Sequence, residues 1–180
     1  VITGSKGLIG RKLTSHYRNL YDIEELDLAL GHDLTDEKFV NEWFSLNKNI
    51  YATIICHAFN PVPHQHSKKI EPVDFSLKEI RDFMETNLIS AYNICRNVIK
   101  NNDCGRIINI SSIYGIKSPK HFIYKDFTKH IGYSLSKGSV IMLTKYLATY
   151  YKSFNINTIV LGGIKTPQQD ETFINNYSHN

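Results

Sequence analysis

Tyr133 and Lys137 stand four residues apart in the stretch Tyr133-Ser-Leu-Ser-Lys137. In a helix that spacing puts both side chains on one face. A phenol, with a pKa of about 10, is a poor acid or base at neutral pH. An ammonium held beside it favours the phenolate and brings it toward the range useful for proton transfer. Ser112, upstream, adds a hydroxyl where the apolar run 105–111 ends. Taken alone, such a pair is common in ordinary helices. Its meaning depends on the elements that carry it.

Residues 130–152 read as a helix, with Ile131, Leu135, Ile141, Leu143, Tyr146, Leu147 and Tyr150 as an apolar stripe. Residues 105–111 alternate into a buried strand, with Ser112 at its carboxyl end, where ligands bind in open parallel sheets. The chain opens on Val1-Ile-Thr3, the end of a strand, followed by Gly4-Ser-Lys-Gly7-Leu-Ile-Gly10 and a helical pattern to about Asn19. Strand, glycine-rich turn and helix form the opening of a dinucleotide-binding unit, in which backbone and helix N-terminus meet a pyrophosphate. The glycine spacing differs from the general G-x-G-x-x-G fingerprint. Residues 21–28 read as a second strand ending near Asp27, placed to bond an adenosine ribose, with Glu24 and Glu25 as less well placed competitors. Thr35 is the expected N-cap of a helix through Leu46. Residues 51–57 read as a central strand. Ser76 with Glu79 makes a capping box for a helix running to about Lys100, with Asn87 in its middle. His64 and His66 lack a third ligand at metal spacing, so no metal site is expected. A last strand spans 155–161, before Gly162-Gly163 and a polar tail with a short helix.

The 180 residues suit one domain, 1–180, and the missing initiating Met marks it as a fragment of a longer chain. Strands alternating with helices imply a doubly wound parallel α/β sheet of about six strands, a three-layer α/β/α Rossmann arrangement. A net charge of +4 with mixed signs argues against nucleic acid. No apolar run is long enough to span a membrane. Three cysteines without metal-ligand spacing fit a reducing cytoplasm.

Taken together, Thr3-Gly4-x-x-Gly7-x-x-Gly10, Asn87, Ile110-Ser-Ser112-x-x-Gly115 and Tyr133-x-x-x-Lys137 resemble the short-chain dehydrogenase/reductase family over essentially the whole chain. The resemblance implies hydride transfer between a nicotinamide cofactor and a carbonyl or alcohol. It makes Tyr133 the general acid/base and Lys137 the partner that binds the nicotinamide ribose and lowers the tyrosine pKa. Ser112 would bond the reacting C–O group, and Asn87 would hold a water of the proton relay. The cofactor would lie along Gly4, Ser5, Lys6, Gly7, Leu8, Ile9 and Gly10. It would continue past Asp27, Asp33, Leu34, His57 and Ala58 to Tyr133, Lys137, Gly162, Ile164 and Thr166. Asp27 favours NAD by repelling a 2′-phosphate, whereas Lys6 would favour NADP. Residues 110–115 and Leu143-Thr-Lys-Tyr-Leu147 look most like oxidoreductases of flagellin modification and surface-sugar (legionaminic-acid type) biosynthesis, which implies a sugar or amino-sugar substrate. The helices bearing Asn87 and Tyr133 resemble those through which the family pairs, implying a homodimer or homotetramer.

The chain departs from the family in four respects. Cys56-His-Ala-Phe59 replaces Asn-Asn-Ala-Gly, and Phe59 removes backbone freedom that glycine would have. Leu161-Gly162 replaces Pro-Gly. The last strand of the family is lacking, and the glycine spacing is that of extended members acting on nucleotide sugars. Two other readings therefore stand beside the first: an extended-type nucleotide-sugar epimerase or dehydratase, and a non-catalytic dinucleotide-binding scaffold.

Overall fold

The structure, a computed structural model, describes residues 1–61, 69–124 and 127–165 and positions 174, 175 and 177. Five parallel strands form one sheet in the order β2-β1-β3-β4-β5: β1 (Ile2–Thr3), β2 (Glu25–Leu26), β3 (Ala52–Ile55), β4 (Gly105–Ser112) and β5 (Phe154–Leu161). Helix α1 (Leu8–Tyr17) connects β1 to β2, and α2 (Glu37–Leu46) connects β2 to β3. Helices α3 (Leu77–Met84) and α4 (Ser90–Asn101) lie between β3 and β4, and α5 (Ile131–Tyr150) lies between β4 and β5. Right-handed crossovers that step outward from β1 to β2 and then back across to β5 put α1 on one face and α2, α4 and α5 on the other. The doubly wound parallel sheet is as the alternating sequence implies. Its order reverses at β1, so the crevice for a ligand opens beyond β1 and β3.

The described residues hold five strands where about six were expected, and the difference lies after β2. That strand is two residues long because Leu20 and Tyr21 still donate their amides to Tyr17 O, which keeps the chain turning after α1. The Asp27 carboxylate then accepts from Ala29 N and caps a single 3-10 turn, Leu28–Leu30, which ends on Gly31 at φ 84°. That left-handed position suits glycine. Asp36, rather than Thr35, caps α2, accepting from Lys38 N and Phe39 N at 2.9 and 3.1 Å. Thr35 instead donates its hydroxyl to Asp33 at 2.7 Å. The turn and the cap use up the residues that another edge strand would need.

The expected capping box is present, with Ser76 and Glu79 exchanging bonds at the start of α3. The helix to Lys100 is not continuous, however. Residues 85–89 form a π turn between α3 and α4, and Asn87 sits within it, 2 % exposed. The main apolar core joins Leu26, Val40, Phe44, Ile94, Val98, Ile107, Leu147 and Phe154, packing α2, α4 and α5 on the sheet.

Helix α5 turns Tyr133 and Lys137 inward together with Leu147 of the expected apolar stripe, and leaves part of that stripe outside. Its buried positions are Gly132, Tyr133, Ser136, Lys137, Val140, Thr144 and Leu147, while Ile131, Leu135, Tyr146 and Tyr150 of the expected apolar stripe are exposed. Close approach is the reason. A Cβ on Gly132 would sit 2.7 Å from the Phe83 ring, and Gly138 faces the Gly115 backbone. Small residues had to turn inward there. No helix among the described residues is long and apolar enough to cross a membrane. No group of three metal-ligating side chains occurs among them either.

Candidate active site

The glycine turn lies at the crevice. Gly4 takes φ 61°, and a Cβ on it would meet the backbone of His57 at 2.6–2.7 Å. A Cβ on Gly10 would collide with the Gly4 carbonyl. Both positions therefore require glycine, and the turn presses directly on the end of β3. Gly7 occupies the N-cap of α1, and no side chain caps that helix. Ser5 is buried, while Lys6 and Leu8 face outward. Asp27 ties the turn to β2, because its Oδ2 accepts from the Lys6 amide at 2.9 Å. The Lys6 ammonium turns away to Glu25 at 2.6 Å, beside Arg18 on the same carboxylate at 2.5 Å. These bonds hold Glu25 below the usual carboxylate range, the Lys6 bond first. Asp33 is absorbed by its own turn with Thr35, which lowers its pKa, and Leu34 belongs to the core.

His57 joins the two sides of the crevice. Ser90 Oγ donates to Thr86 O at 2.6 Å, so it accepts from His57 Nε2–H at 2.7 Å. Nδ1 is then the acceptor for the Thr3 hydroxyl at 2.7 Å, while Thr3 Oγ1 accepts from Cys56 N at 3.2 Å. Every donor in this chain has one acceptor only if the imidazole is neutral with its proton on Nε2. Burial first, and the Lys137 charge second, push His57 down to about 4. Burial raises the neighbouring Cys56 thiol to about 12.

Asn87 makes the next connection. Its Oδ1 accepts from Phe59 N at 2.6 Å, and its Nδ2 donates to Phe59 O and to Ser136 Oγ, each at 3.0 Å. One amide thus clamps the loop after β3, the π turn and α5 together. Phe59 needs no left-handed backbone, and its ring packs on Phe83 at 4.8 Å, so replacing the family's glycine causes no strain here. Ala58, just before it, is exposed.

At the end of β4, Ser111 Oγ donates to Lys137 O at 2.7 Å, and Lys137 Nζ donates to Ile110 O at 2.8 Å. Burial brings Lys137 down to about 8. Tyr133, one helical turn earlier, is 8 % exposed. Its phenol is raised above the ordinary value by burial, with the Ser112 side chain hydrogen-bonding it and pulling the other way. The structure thus brings Ser112, Tyr133, Lys137, Asn87, His57 and the glycine turn to one end of the sheet. Lys137 is not among the groups that lower the tyrosine here. Gly162 and Ile164, beyond β5, are exposed, and Thr166, like His64 and His66, lies outside the described residues.

Four participants were missed in the sequence. Ser136 anchors Asn87, and the Tyr114 hydroxyl meets that of Tyr124 at 2.5 Å. Lys129 lies with its Nζ 4.4 Å from the centre of the Tyr133 ring. Only the i, i+3 spacing of Tyr133 and Ser136 on one helix could have pointed to any of them.

The sequence model of the short chain dehydrogenase family matches residues 11–176. The chain belongs to the short-chain dehydrogenase family. Among solved structures it is similar to a short chain dehydrogenase from Leptospira borgpetersenii with bound NAD+, at 25 % identity and a TM-score of 0.80, covering 99 % of this chain and 75 % of that one. It is also similar in fold to a 4-hydroxyisoleucine dehydrogenase complexed with NADH and succinate, at 18 % identity and a TM-score of 0.74, covering 99 % and 88 % of the two chains. A small-chain dehydrogenase in complex with NADPH matches at 18 % identity and a TM-score of 0.72, over 88 % and 67 %. In this short-chain dehydrogenase the family pattern Asn-Ser-Tyr-Lys falls on residues the fold brings together.

The His57 relay has a measurable consequence. A histidine whose pKa drops from about 6.5 unfolded to about 4 folded binds fewer protons in the native state between those values. Its contribution to stability is complete above pH ~6.5 and is lost as pH falls toward ~4, with a slope of up to about 1.4 kcal/mol per pH unit. Urea unfolding across this window should show His57→Asn with a shallower decline than the parent. Parallel declines would mean that the imidazole is charged in the fold.

Proposed function

We propose that this chain is a nicotinamide-dependent oxidoreductase that transfers hydride between the cofactor and a carbonyl or alcohol, with NAD as the preferred cofactor. The observation that carries the reading is the meeting of the Ser112 and Tyr133 side chains at the end of β4, with the Lys137 ammonium held on Ile110 O beside them. A dinucleotide fits this chain's own residues. The Gly4–Gly10 turn admits no Cβ at its two tight points, and α1 has no side-chain cap, which suits a pyrophosphate at its N-terminus. Asp27 borders the turn, and Lys6 is already committed to Glu25, which supports NAD over NADP.

When bound, the nicotinamide supplies or accepts the hydride. The residues of the chain handle the proton and the geometry. Ser112 and Tyr133 would bond the same oxygen, and Tyr133 would donate its proton to a carbonyl or accept one from an alcohol. Lys137, anchored on Ile110 O, would hold the ribose. Asn87 would fix the loop, the π turn and α5 around that pocket and hold a water of the proton relay. The complete Asn87, Ser112, Tyr133 and Lys137 set favours an enzyme over a scaffold, which needs no such set.

A sugar or amino-sugar substrate, and a place in flagellin or surface-sugar modification, rest on the sequence likeness at 110–115 and 143–147 alone. The three similar structures named above add nothing to that narrower reading. Screening such substrates for a change in nicotinamide absorbance would reject it if only unrelated carbonyls turn over.

Tyr133→Phe keeps the ring and removes the ionisable hydroxyl, so turnover should fall ~100- to 10,000-fold while the fold survives. Near-normal turnover in a folded Tyr133→Phe would remove the tyrosine from the chemistry. Fluorescence titration should give a lower Kd for NAD than for NADP. The reverse order would mean that Lys6 leaves Glu25 to meet the 2′-phosphate. We further propose pairing through the outward face of α5, where Leu135, Met142, Tyr146 and Tyr150 are exposed and Tyr146 reaches 67 %. Sedimentation should show a dimer that Tyr146→Glu dissociates, and a monomeric parent at high concentration would refute it.

A further inference from the structure

Lys129 is a buried lysine, 8 % exposed, on the segment just before α5. Its ammonium donates to Asn60 Oδ1 and, at 3.2 Å, to Pro61 O, both in the loop that follows β3. No carboxylate among the described residues pairs with it. Its Nζ lies 4.4 Å from the centroid of the Tyr133 ring. An ammonium over an aromatic face is attracted by the ring's negative quadrupole, more strongly in a desolvated site. Ionising the phenol moves negative charge into that ring, so the attraction grows as the proton leaves.

We propose that Lys129 is a positioning residue for Tyr133: the Asn60–Pro61 turn holds its ammonium on the ring face, where it fixes the ring and favours the tyrosinate. This rests on the reading of Tyr133 as the acid/base group. The other groups around the phenol do not supply the same effect. Ser112 lowers it as a neighbour, whereas Tyr114 opposes its ionisation. Lys137, from α5 itself, directs its ammonium to Ile110 O and toward Cys56 and His57. His130, beside Lys129, points its ring at Phe75 and Phe83 and its Nε2 toward Glu79, 4.0 Å away. Lys129 is thus the charge set against the ring itself. Burial lowers its own pKa to about 8, so the effect operates below that pH.

The test compares a side chain that is always charged with one that never is. Arg keeps its charge in alkali and stacks on aromatic faces, whereas Met keeps the length and loses the charge. Chain labelled with 3-fluorotyrosine, whose phenol is more acidic, brings the titration into range before alkaline unfolding. Fluorine NMR then reads the Tyr133 midpoint, with Tyr133→Phe assigning the resonance. Lys129→Arg should titrate about one pH unit below Lys129→Met, a tenfold difference in acid constant. Equal midpoints, or the reverse order, would overturn the proposal and leave Lys129 a purely structural anchor. Should Lys129→Met not fold, Lys129→Gln serves as the uncharged member of the pair. The readout involves no turnover. A Tyr133 that titrates as expected but proves dispensable for activity would refute the functional reading and not this one.

Discussion

The seam between β4 and α5 is the constraint on which the site depends. Gly115 lies so near the helix that a Cβ would meet the Lys137 carbonyl carbon and the Gly138 nitrogen at 2.7 and 2.8 Å. Ser111 and Lys137 bond across the seam in both directions, hydroxyl to carbonyl and ammonium to carbonyl. Side-chain bulk cannot be accommodated at that separation, so α5 turns its small and polar residues inward. The same rotation puts Tyr133 on the inner face and leaves Ile131, Leu135, Tyr146 and Tyr150 outside. The geometry of the candidate site and the exposed stripe follow from a single packing condition.

Across the crevice the same task falls to polar side chains. Asn87 and His57 carry the contacts that link β1, the loop after β3, the π turn and α5. Each is saturated by partners of fixed direction, so a change in either leaves a buried donor or acceptor unpaired. Such a loss costs more than the net worth of the bond. A π turn is a costly way to continue a helix. Here it sets the Asn87 amide against the Phe59 backbone, and it brings Ser90 to His57.

Much of this was legible before any coordinates. Strand, glycine turn and helix gave the order of elements, because period and punctuation are local properties. Ser112 at a strand end and the Tyr133–Lys137 spacing pointed to the candidate site, since the pair is set by the helical repeat. The capping box at Ser76 was read correctly for the same reason. The edge after β2 was not, because Asp27 caps a 3-10 turn and Asp36 caps α2, and the competition between turn and strand is settled by tertiary space. The apolar stripe of α5 was right only in part, since Leu147 is buried but Ile131, Leu135, Tyr146 and Tyr150 are exposed. Nothing in that segment records how near Gly115 comes. Asn87 was noticed as out of place in a helix, but the π turn that explains it depends on Phe59 and Ser136, which are 28 and 49 residues away.

The charges of the site follow a consistent logic. Lys137 and Lys129 are both buried, both brought down to about 8 by that burial, and both bonded to neutral oxygens rather than carboxylates. A carboxylate partner would hold each lysine charged, but it would also cancel the field beyond the pair. Carbonyl oxygens anchor the ammonium while leaving its charge uncompensated, and a low-dielectric surrounding lets that charge act over a few ångströms. Burying two unpaired cations destabilises the fold, and the Leu26–Phe154 core must offset it. A protein selected only for stability would have replaced them. Tyr133, whose ionisation burial opposes, lies with its ring under the Lys129 ammonium, while Cys56 and His57 lie in the field of Lys137.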